Sequence, residues 1–272
     1  MLIVGERINT SRKNIRKAVE ERNAAFIQEE ARKQAAAGAT MIDVNAGTSV
    51  TSEIEDLKWL VSVVQEAVKE PLCIDSPNPA ALAAALPLHK NGQPMINSIT
   101  AETARLSAIL PLVKKYDTLV VGLAMGDSGM PNGAEDRLAA VRVIASAVKK
   151  EGLPLSKVYY DPVICPVSTK QSEAEAAVQT VRYIMANAGE GQELAGAHTI
   201  CGLSNISFGL PKRVLINRTY LTLMLAAGID GLIIDPTEPQ MIQAYRATRA
   251  LVGKDDFCME YITADREGKL GP

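Results

Sequence analysis

Asp43, Asp75, Asp161 and Asp235, with Asn45, Asn97 and Asn205, each stand at or close to the end of a short apolar run. The first such run leads in the same way into Glu6-Arg7-Ile8-Asn9. Carboxylates and carboxamides gathered about one pocket offer acceptors and N–H donors together. That mixture suits a neutral heterocycle with several ring N–H groups and ring nitrogens. Singly, each residue has an ordinary structural use: Asp and Asn cap helices, and Asp161-Pro162 and Asp235-Pro236 are common turn starters. Polar residues of one kind at nearly every run end are harder to explain as caps alone. A carboxylate pair drawn from Asp43, Asp75 and Asp161 also leaves glycoside hydrolysis open.

Other chemistries lack their residues. A phosphate cradle needs a glycine-rich loop at a helix start, and Ser204-Asn205-Ile206-Ser207-Phe208-Gly209 and Asp235-Pro236-Thr237 are poor ones. Aromatic residues are 4% of the chain, which leaves few platforms for stacking sugars. Cys73, Cys165, Cys201 and Cys258 lie too far apart for a zinc knuckle or redox pair, and beside apolar neighbours they read as buried thiols. The two histidines, His89 and His198, have no Cys or His partner nearby, so no bound metal is expected. His198 reads as a satisfied core histidine, and Trp59 as a packing or dimer-contact residue.

The 272 residues carry 29 Lys and Arg against 31 Asp and Glu, a net charge of −2 that gives no basic surplus for nucleic acid. No apolar run approaches the ~20 residues of a membrane span. Met1-Leu2-Ile3-Val4-Gly5-Glu6-Arg7 is charged too soon for a signal peptide, so a cytoplasmic location is expected.

The elements that must position these residues alternate along the chain. Apolar runs begin at Leu2, Met41, Leu72, Met95, Thr118, Val158, Thr199 and Leu232, each followed by a segment of helical period. Continuous apolar runs fit strands covered on both faces. Eight evenly spaced units predict an α/β single domain, a (β/α)₈ TIM barrel over residues 1–267, with Gly268 to Pro272 as a tail. An open doubly wound sheet is the competing architecture. Ile54, Leu57, Val61, Val64 and Val68 form one apolar helix stripe. Ser52 with Glu55, Asn132 with Glu135, Ser172 with Glu175 and Thr237 with Gln240 have capping-box spacing. In a barrel the strand C-termini form the mouth, and the long loop from Asp127 to Gly133 would lie beside it as a partner-contact loop or a plain turn.

Read in order, Gly5-Glu6-Arg7-Ile8-Asn9, Asp43-Val44-Asn45-Ala46-Gly47, Cys73-Ile74-Asp75-Ser76, Met95-Ile96-Asn97-Ser98, Asp161-Pro162, Gly202-Leu203-Ser204-Asn205-Ile206-Ser207 and Leu215-Ile216-Asn217-Arg218-Thr219 resemble the pterin-binding methyltransferases, the folate-dependent, corrinoid-linked group. The resemblance runs over essentially the whole chain. It implies a pterin-binding barrel, a homodimer, with tetrahydrofolate or methyltetrahydrofolate as substrate and a corrinoid (cobalamin) carried by a partner protein. It implies further that Asp75, Asn97 and Asp161 bond the pterin ring, that Asn205 approaches its nitrogen-5, and that Arg213 faces the folate. Glu6, Asn9, Asp43 and Asn45 are further mouth candidates. Phe208 departs from the glutamine that acetogen members of the family carry, so contacts made there are not carried over.

Methyl transfer from a tertiary amine is hard because the leaving nitrogen is very basic, and protonating nitrogen-5 relieves this. A carboxamide such as Asn205 cannot be a general acid, but it can bond nitrogen-5 more strongly as the methyl group leaves or arrives. An ionised Asp75 or Asp161 bonded to ring N–H groups favours the protonated pterin. No stretch of a barrel is spare for a corrinoid-binding module, hence the separate corrinoid protein. Two rivals stand beside methyl transfer. A dihydropteroate synthase-like enzyme would need a Ser, Thr and Arg-rich loop after the second run, where Asn45-Ala46-Gly47-Thr48-Ser49-Val50-Thr51 has no arginine. A non-catalytic folate-binding subunit of a corrinoid complex would have no use for a group aimed at nitrogen-5.

Overall fold

The computed structural model describes residues 1–47 and 51–271. Among them the chain forms eight strands and ten α-helices in steady alternation. Strand β1 (Leu2–Asn9) is followed by α1 (Lys13–Glu20) and α2 (Ala24–Ala36). Then come β2 (Met41–Asn45), α3 (Glu53–Gln65), β3 (Leu72–Asp75), α4 (Pro79–Ala85), β4 (Met95–Ile99) and α5 (Thr103–Tyr116). The second half holds β5 (Leu119–Leu123), α6 (Gly133–Lys150), β6 (Val158–Asp161), α7 (Ser172–Ala186), β7 (His198–Thr199) and α8 (Arg213–Ala226). It ends with β8 (Gly231–Ile234), α9 (Pro239–Leu251) and α10 (Met259–Arg266).

All neighbouring strands pair in parallel, in the order β7-β6-β5-β4-β3-β2-β1-β8. The seam between β7 and β8 is narrow. A single parallel bridge joins Gly202 to Ile233, and the Ile233 N–H donates to the Cys201 carbonyl at 2.9 Å. Gly231 opens β8 where a Cβ would come within 2.9 Å of the Thr199 carbonyl oxygen, so this close approach requires glycine. The sheet curls round on itself as a (β/α)₈ barrel, as the eight apolar runs predict, and is not the open doubly wound sheet.

Several local expectations are corrected. The seventh strand stops at Thr199 instead of reaching Leu203, because the Asn205 N–H turns back to the Gly202 carbonyl (3.3 Å) and residues Leu203–Ser207 coil into a 3₁₀ turn. None of the four capping boxes forms as spaced. Ser52 bonds the Asp56 carboxylate at 2.6 Å, the Asp136 carboxylate accepts the Asn132 N–H at 2.9 Å, and α7 and α9 begin after Gln171 and Glu238. The side chains that do cap are Asn23 on α2 and Asn78 on α4. Cys73, Cys165 and Cys201 are buried as expected, but Cys258 is exposed beside α10. His198 has its expected partner, the Asp230 carboxylate at 2.6 Å from Nδ1, yet its side chain is only half-buried against Tyr159. Trp59 packs on the core under the Arg22 guanidinium.

Val4, Met41, Cys73, Met95, Val121, Ile200 and Ile233 form one apolar cluster, with one residue from seven of the strand segments and Tyr159 packed against it. These residues plug the barrel. Side chains two apart on a strand share a face, so the next inward positions are Glu6, Asp43, Asp75, Asn97, Leu123, Asp161 and Gly202. A polar rim therefore sits directly on an apolar floor.

Candidate active site

The rim encloses a cavity of about 850 Å³ at the C-terminal ends of the strands. Glu6, Asn9, Asp43, Asp75, Asn97, Asp161, Asn205 and Arg213 all line it, so eight of the nine residues singled out in the sequence meet there. Asn45 does not line it; the structure puts it behind Asp75. Arg12, Ser204, Phe208, Asn217, Asp235 and Met241 complete much of the wall.

Register sets the depth of each group. Asn45, Asp75 and Asn97 are directly paired across β2, β3 and β4, whereas Asp43 is level with the plug residue Cys73. Asp43 consequently sits one layer deeper, buried, with its Oδ1 lacking a hydrogen-bond partner. Burial and the neighbouring Asp75 charge hold its carboxyl well above the usual carboxylate range, against the opposing influence of the Cys73 and Asn97 side chains. Burial thus disfavours the charged form of Asp43.

Asp75 is more tempered. Burial pushes it up to about 6, while the Asn45 carboxamide, donating from Nδ2 to Oδ2 at 2.8 Å, and the Arg105 charge pull it down. Asn45 is itself fixed by the Gly47 N–H (2.9 Å), so it orients Asp75 from outside the cavity. Arg105, from α5, donates to the carbonyls of Ser76, Pro77 and Ser98 and ties the ends of β3 and β4 together. Asp161 is likewise pushed up to about 6 by burial, although the Val163 N–H (2.7 Å) and Gly202 N–H (3.4 Å) both donate to it.

A further part of the cavity wall is built by the turn Leu203–Ser207, next to Asp161. Asn205 projects from it, solvent-exposed, with its Nδ2 lying over Gly202. The turn is pinned on three sides. Ser204 donates to Glu6 at 3.3 Å, Ser168 donates to the Phe208 carbonyl at 2.7 Å, and the Val167 N–H bonds the Ile206 carbonyl at 3.0 Å. Arg213 donates from Nη2 to the Ser204 carbonyl (2.7 Å) and from Nε to the Ser207 hydroxyl (2.9 Å), with its guanidinium 4.6 Å over the Phe208 ring. The cation expected to face a ligand thus also fastens the Asn205 turn. Burial raises Glu6 to about 7, opposed by Arg12, so this carboxyl exchanges its proton near neutral pH.

Asp235 turns out to be a joint. Its carboxylate accepts from Arg7 (2.8 Å) and from the Thr237 N–H (3.0 Å) and hydroxyl (2.6 Å), the turn-starter role open to it from sequence. His89 is structural too, accepting the Leu72 N–H at 3.2 Å. Among the described residues no group of three or more His, Cys, Asp or Glu is arranged to hold a metal ion. Sequence reasoning missed Arg12, Arg105 and Arg137, because a helical or loop arginine has no spacing that announces it is turned inward.

Comparison with known proteins agrees with this geometry. A sequence profile described as pterin binding enzyme matches residues 5–235. The chain is 39% identical over 277 aligned positions to a methylcorrinoid:tetrahydrofolate methyltransferase of Eubacterium limosum, covering all of this chain and 98% of that one. It is 28% identical to a methionine synthase of Mycobacterium tuberculosis, over 86% of this chain and 20% of that much longer protein. A dihydropteroate synthase structure from Xanthomonas albilineans superposes with a TM-score of 0.67 over 92% of both chains at 18% identity, a likeness of fold.

Proposed function

The chain belongs to the family of pterin-binding enzymes, and from that premise we propose which residues of its cavity carry the reaction. It is a methyltransferase that moves a methyl group between nitrogen-5 of tetrahydrofolate and the cobalt of a corrinoid. The corrinoid is carried by a partner protein that covers the barrel mouth. The observation that carries the assignment of residues is the rim itself, where Asp75, Asn97, Asp161 and Asn205 all line one cavity.

Asp75 and Asp161 accept the ring N–H groups of the pterin, and Asn97 bonds a ring acceptor or donor between them. With pKa values near 6, both aspartates are largely ionised at pH 7 and supply the negative potential that favours a protonated pterin. In one direction the nitrogen–carbon bond breaks, its electron pair stays on nitrogen-5 with an added proton, and the cobalt's electron pair takes the methyl carbon. In the other, the nitrogen-5 lone pair takes the methyl carbon, the cobalt recovers the electron pair, and nitrogen-5 gives up its proton. Asn205 bonds nitrogen-5 as its charge changes. Glu6, titrating near neutrality and joined through Ser204 to the Asn205 turn, is placed to take or return that proton.

Phe208, exposed at the cavity wall, and Met130, exposed in the loop after β5, are apolar points on which the corrinoid protein would land. A homodimer in the cytoplasm goes with this reading. The full-length relationship to a named methyltransferase favours it over a dihydropteroate synthase-like activity. In that rival's diagnostic loop, residues 48–50 lie outside the described residues.

The test follows the cobalamin spectrum while methylated cobalamin is mixed with tetrahydrofolate and the protein. Demethylation dependent on both is expected. Tight folate binding with no demethylation, even with candidate corrinoid proteins added, would favour a folate-binding subunit instead.

A further inference from the structure

Asp161 is held from behind by an arginine that does not line the cavity. Arg137, on α6, is completely buried. Its guanidinium donates to Glu173 on α7 (2.6 Å), to the Gly133 carbonyl (2.8 Å) and to the carbonyls of Pro162 (2.5 Å) and Val163 (3.0 Å). The last two belong to the loop that leaves β6 immediately after Asp161. Within it Val163 has φ of +56°, the left-handed region that a β-branched side chain strongly disfavours. Yet this conformation turns its N–H onto Asp161 Oδ1 at 2.7 Å.

We propose that Arg137 is a positioning residue for pterin recognition. By gripping the Pro162 and Val163 carbonyls it keeps Val163 in the left-handed conformation, whose N–H then fixes which way the Asp161 carboxylate faces the cavity. The proposal rests on the reading of Asp161 as a pterin contact.

The bonding pattern separates this role from plain helix packing. A completely buried guanidinium must satisfy all its donors, and beyond Glu173 and Gly133 the carbonyls it takes are the two that follow Asp161. Here the planar fork divides its donors between an anchor and one strained loop. The anchor is rigid: Lys170, then Arg137 and the Gly133 N–H, hold Glu173 down to about 2, so the ion pair persists across the working pH range. The titratable groups facing Asp161 are Arg137 from α6, Cys201 after β7 and Tyr220 from α8. Burial raises the Cys201 thiol and the Tyr220 phenol, so both stay neutral, and Arg137 is the charged member of the three.

The experiment is Arg137→Lys, which keeps the charge but cannot reach all four acceptors. Three quantities are measured: thermal stability, tetrahydrofolate affinity, and the Asp161 titration by carbon-13 NMR of its carboxyl. The expected result is an Asp161 midpoint moved up from about 6 and folate affinity weakened about tenfold, the size of one lost bond to a charged group. A variant that is merely less stable, with midpoint and affinity at wild-type values, would overturn the proposal. Should Arg137→Lys not fold, Val163→Pro leaves Arg137 intact, deletes the N–H and forbids positive φ. The same two changes are expected there, and an unmoved midpoint refutes the positioning role. The NMR titration needs no ligand. Wild-type protein that fails to bind tetrahydrofolate would sink the folate reading while the titration still decides the role of Arg137.

Discussion

Nη2 of Arg213 lies 2.7 Å from the carbonyl oxygen of Ser204, the residue immediately before Asn205. The same guanidinium bonds Ser207, so one side chain fastens both flanks of the Asn205 turn. Arg213→Ala and Asn205→Ala should therefore not add. The double variant is expected to lose less transition-state stabilisation than the two singles summed, with a coupling of about 0.5–3 kcal/mol. Strict additivity in kcat/KM would show that Arg213 acts on the folate alone.

Asn205→Ala should lower the methyl-transfer rate far more than folate affinity. A hydrogen bond that strengthens as charge changes on nitrogen-5 is worth ~2.7–4 kcal/mol by analogy with an oxyanion donor, or about 10²–10³ in kcat. Equal losses in affinity and kcat/KM at unchanged kcat would make Asn205 a uniform binding contact.

Asp75→Ala and Asp161→Ala should each weaken tetrahydrofolate binding by ~1.5–3 kcal/mol, measured by titration calorimetry. Unchanged affinity in both would remove the pterin from this wall. Asn45→Ala acts at one remove. Because the Asn45 bond lowers the Asp75 pKa, its loss should move the acid limb of folate binding to higher pH.

Folate binding itself should release protons below about pH 6, where Asp75 and Asp161 are still protonated in the free protein but must be ionised to accept ring N–H groups. Calorimetry in two buffers of different ionisation enthalpy measures that release. No proton release at pH 5.5 would mean that the pterin takes the acids neutral.

The ligand-free protein should lose stability as pH rises from about 4 to 7. Glu6, Asp75 and Asp161 all have folded pKa values above their unfolded ones. Between the two values the folded state holds protons that the unfolded state has lost, so stability falls with pH across this window, and the raised Asp43 acts in the same sense. A tenfold difference in acidity between the folded and unfolded states is worth ~1.4 kcal/mol, and the three groups act in the same direction. Urea unfolding across this window checks it, and a flat profile would contradict the burial of these carboxyls.

The rim was readable in the sequence because polar residues at nearly every end of strands buried on both faces are more than caps and turns alone require. Asp75, Asn97 and Asp161 stand out against Leu72 to Ile74, Met95 to Ile96 and Val158 to Tyr160 for that reason. What the sequence hides is the layer behind. Arg105 and Arg137 lie near the N-terminal ends of α5 and α6, where an arginine ordinarily faces water, and only the packing of loops over these helices turns them inward. The capping boxes failed in the opposite sense. Ser and Glu three apart are common, and tertiary partners such as Asp56 for Ser52 decide what the hydroxyl bonds. The short seventh strand escaped notice because the apolar stretch from Thr199 to Leu203 continues through the turn that carries Asn205.

The apolar plug under the rim makes the cavity a chamber with one doorway. Val4, Met41, Cys73, Met95, Val121, Ile200 and Ile233 seal its floor, so whatever enters by the strand ends must leave the same way. A folate seated against Asp75 and a bulky protein delivering its methyl carrier from outside would then share a single threshold. Traffic through such a threshold is queued: the small guest goes in first, and the large one must step aside before the small one can leave. Excess corrinoid protein should accordingly slow turnover by trapping the folate inside, as inhibition that lengthens the lifetime of the bound folate without competing for its seat.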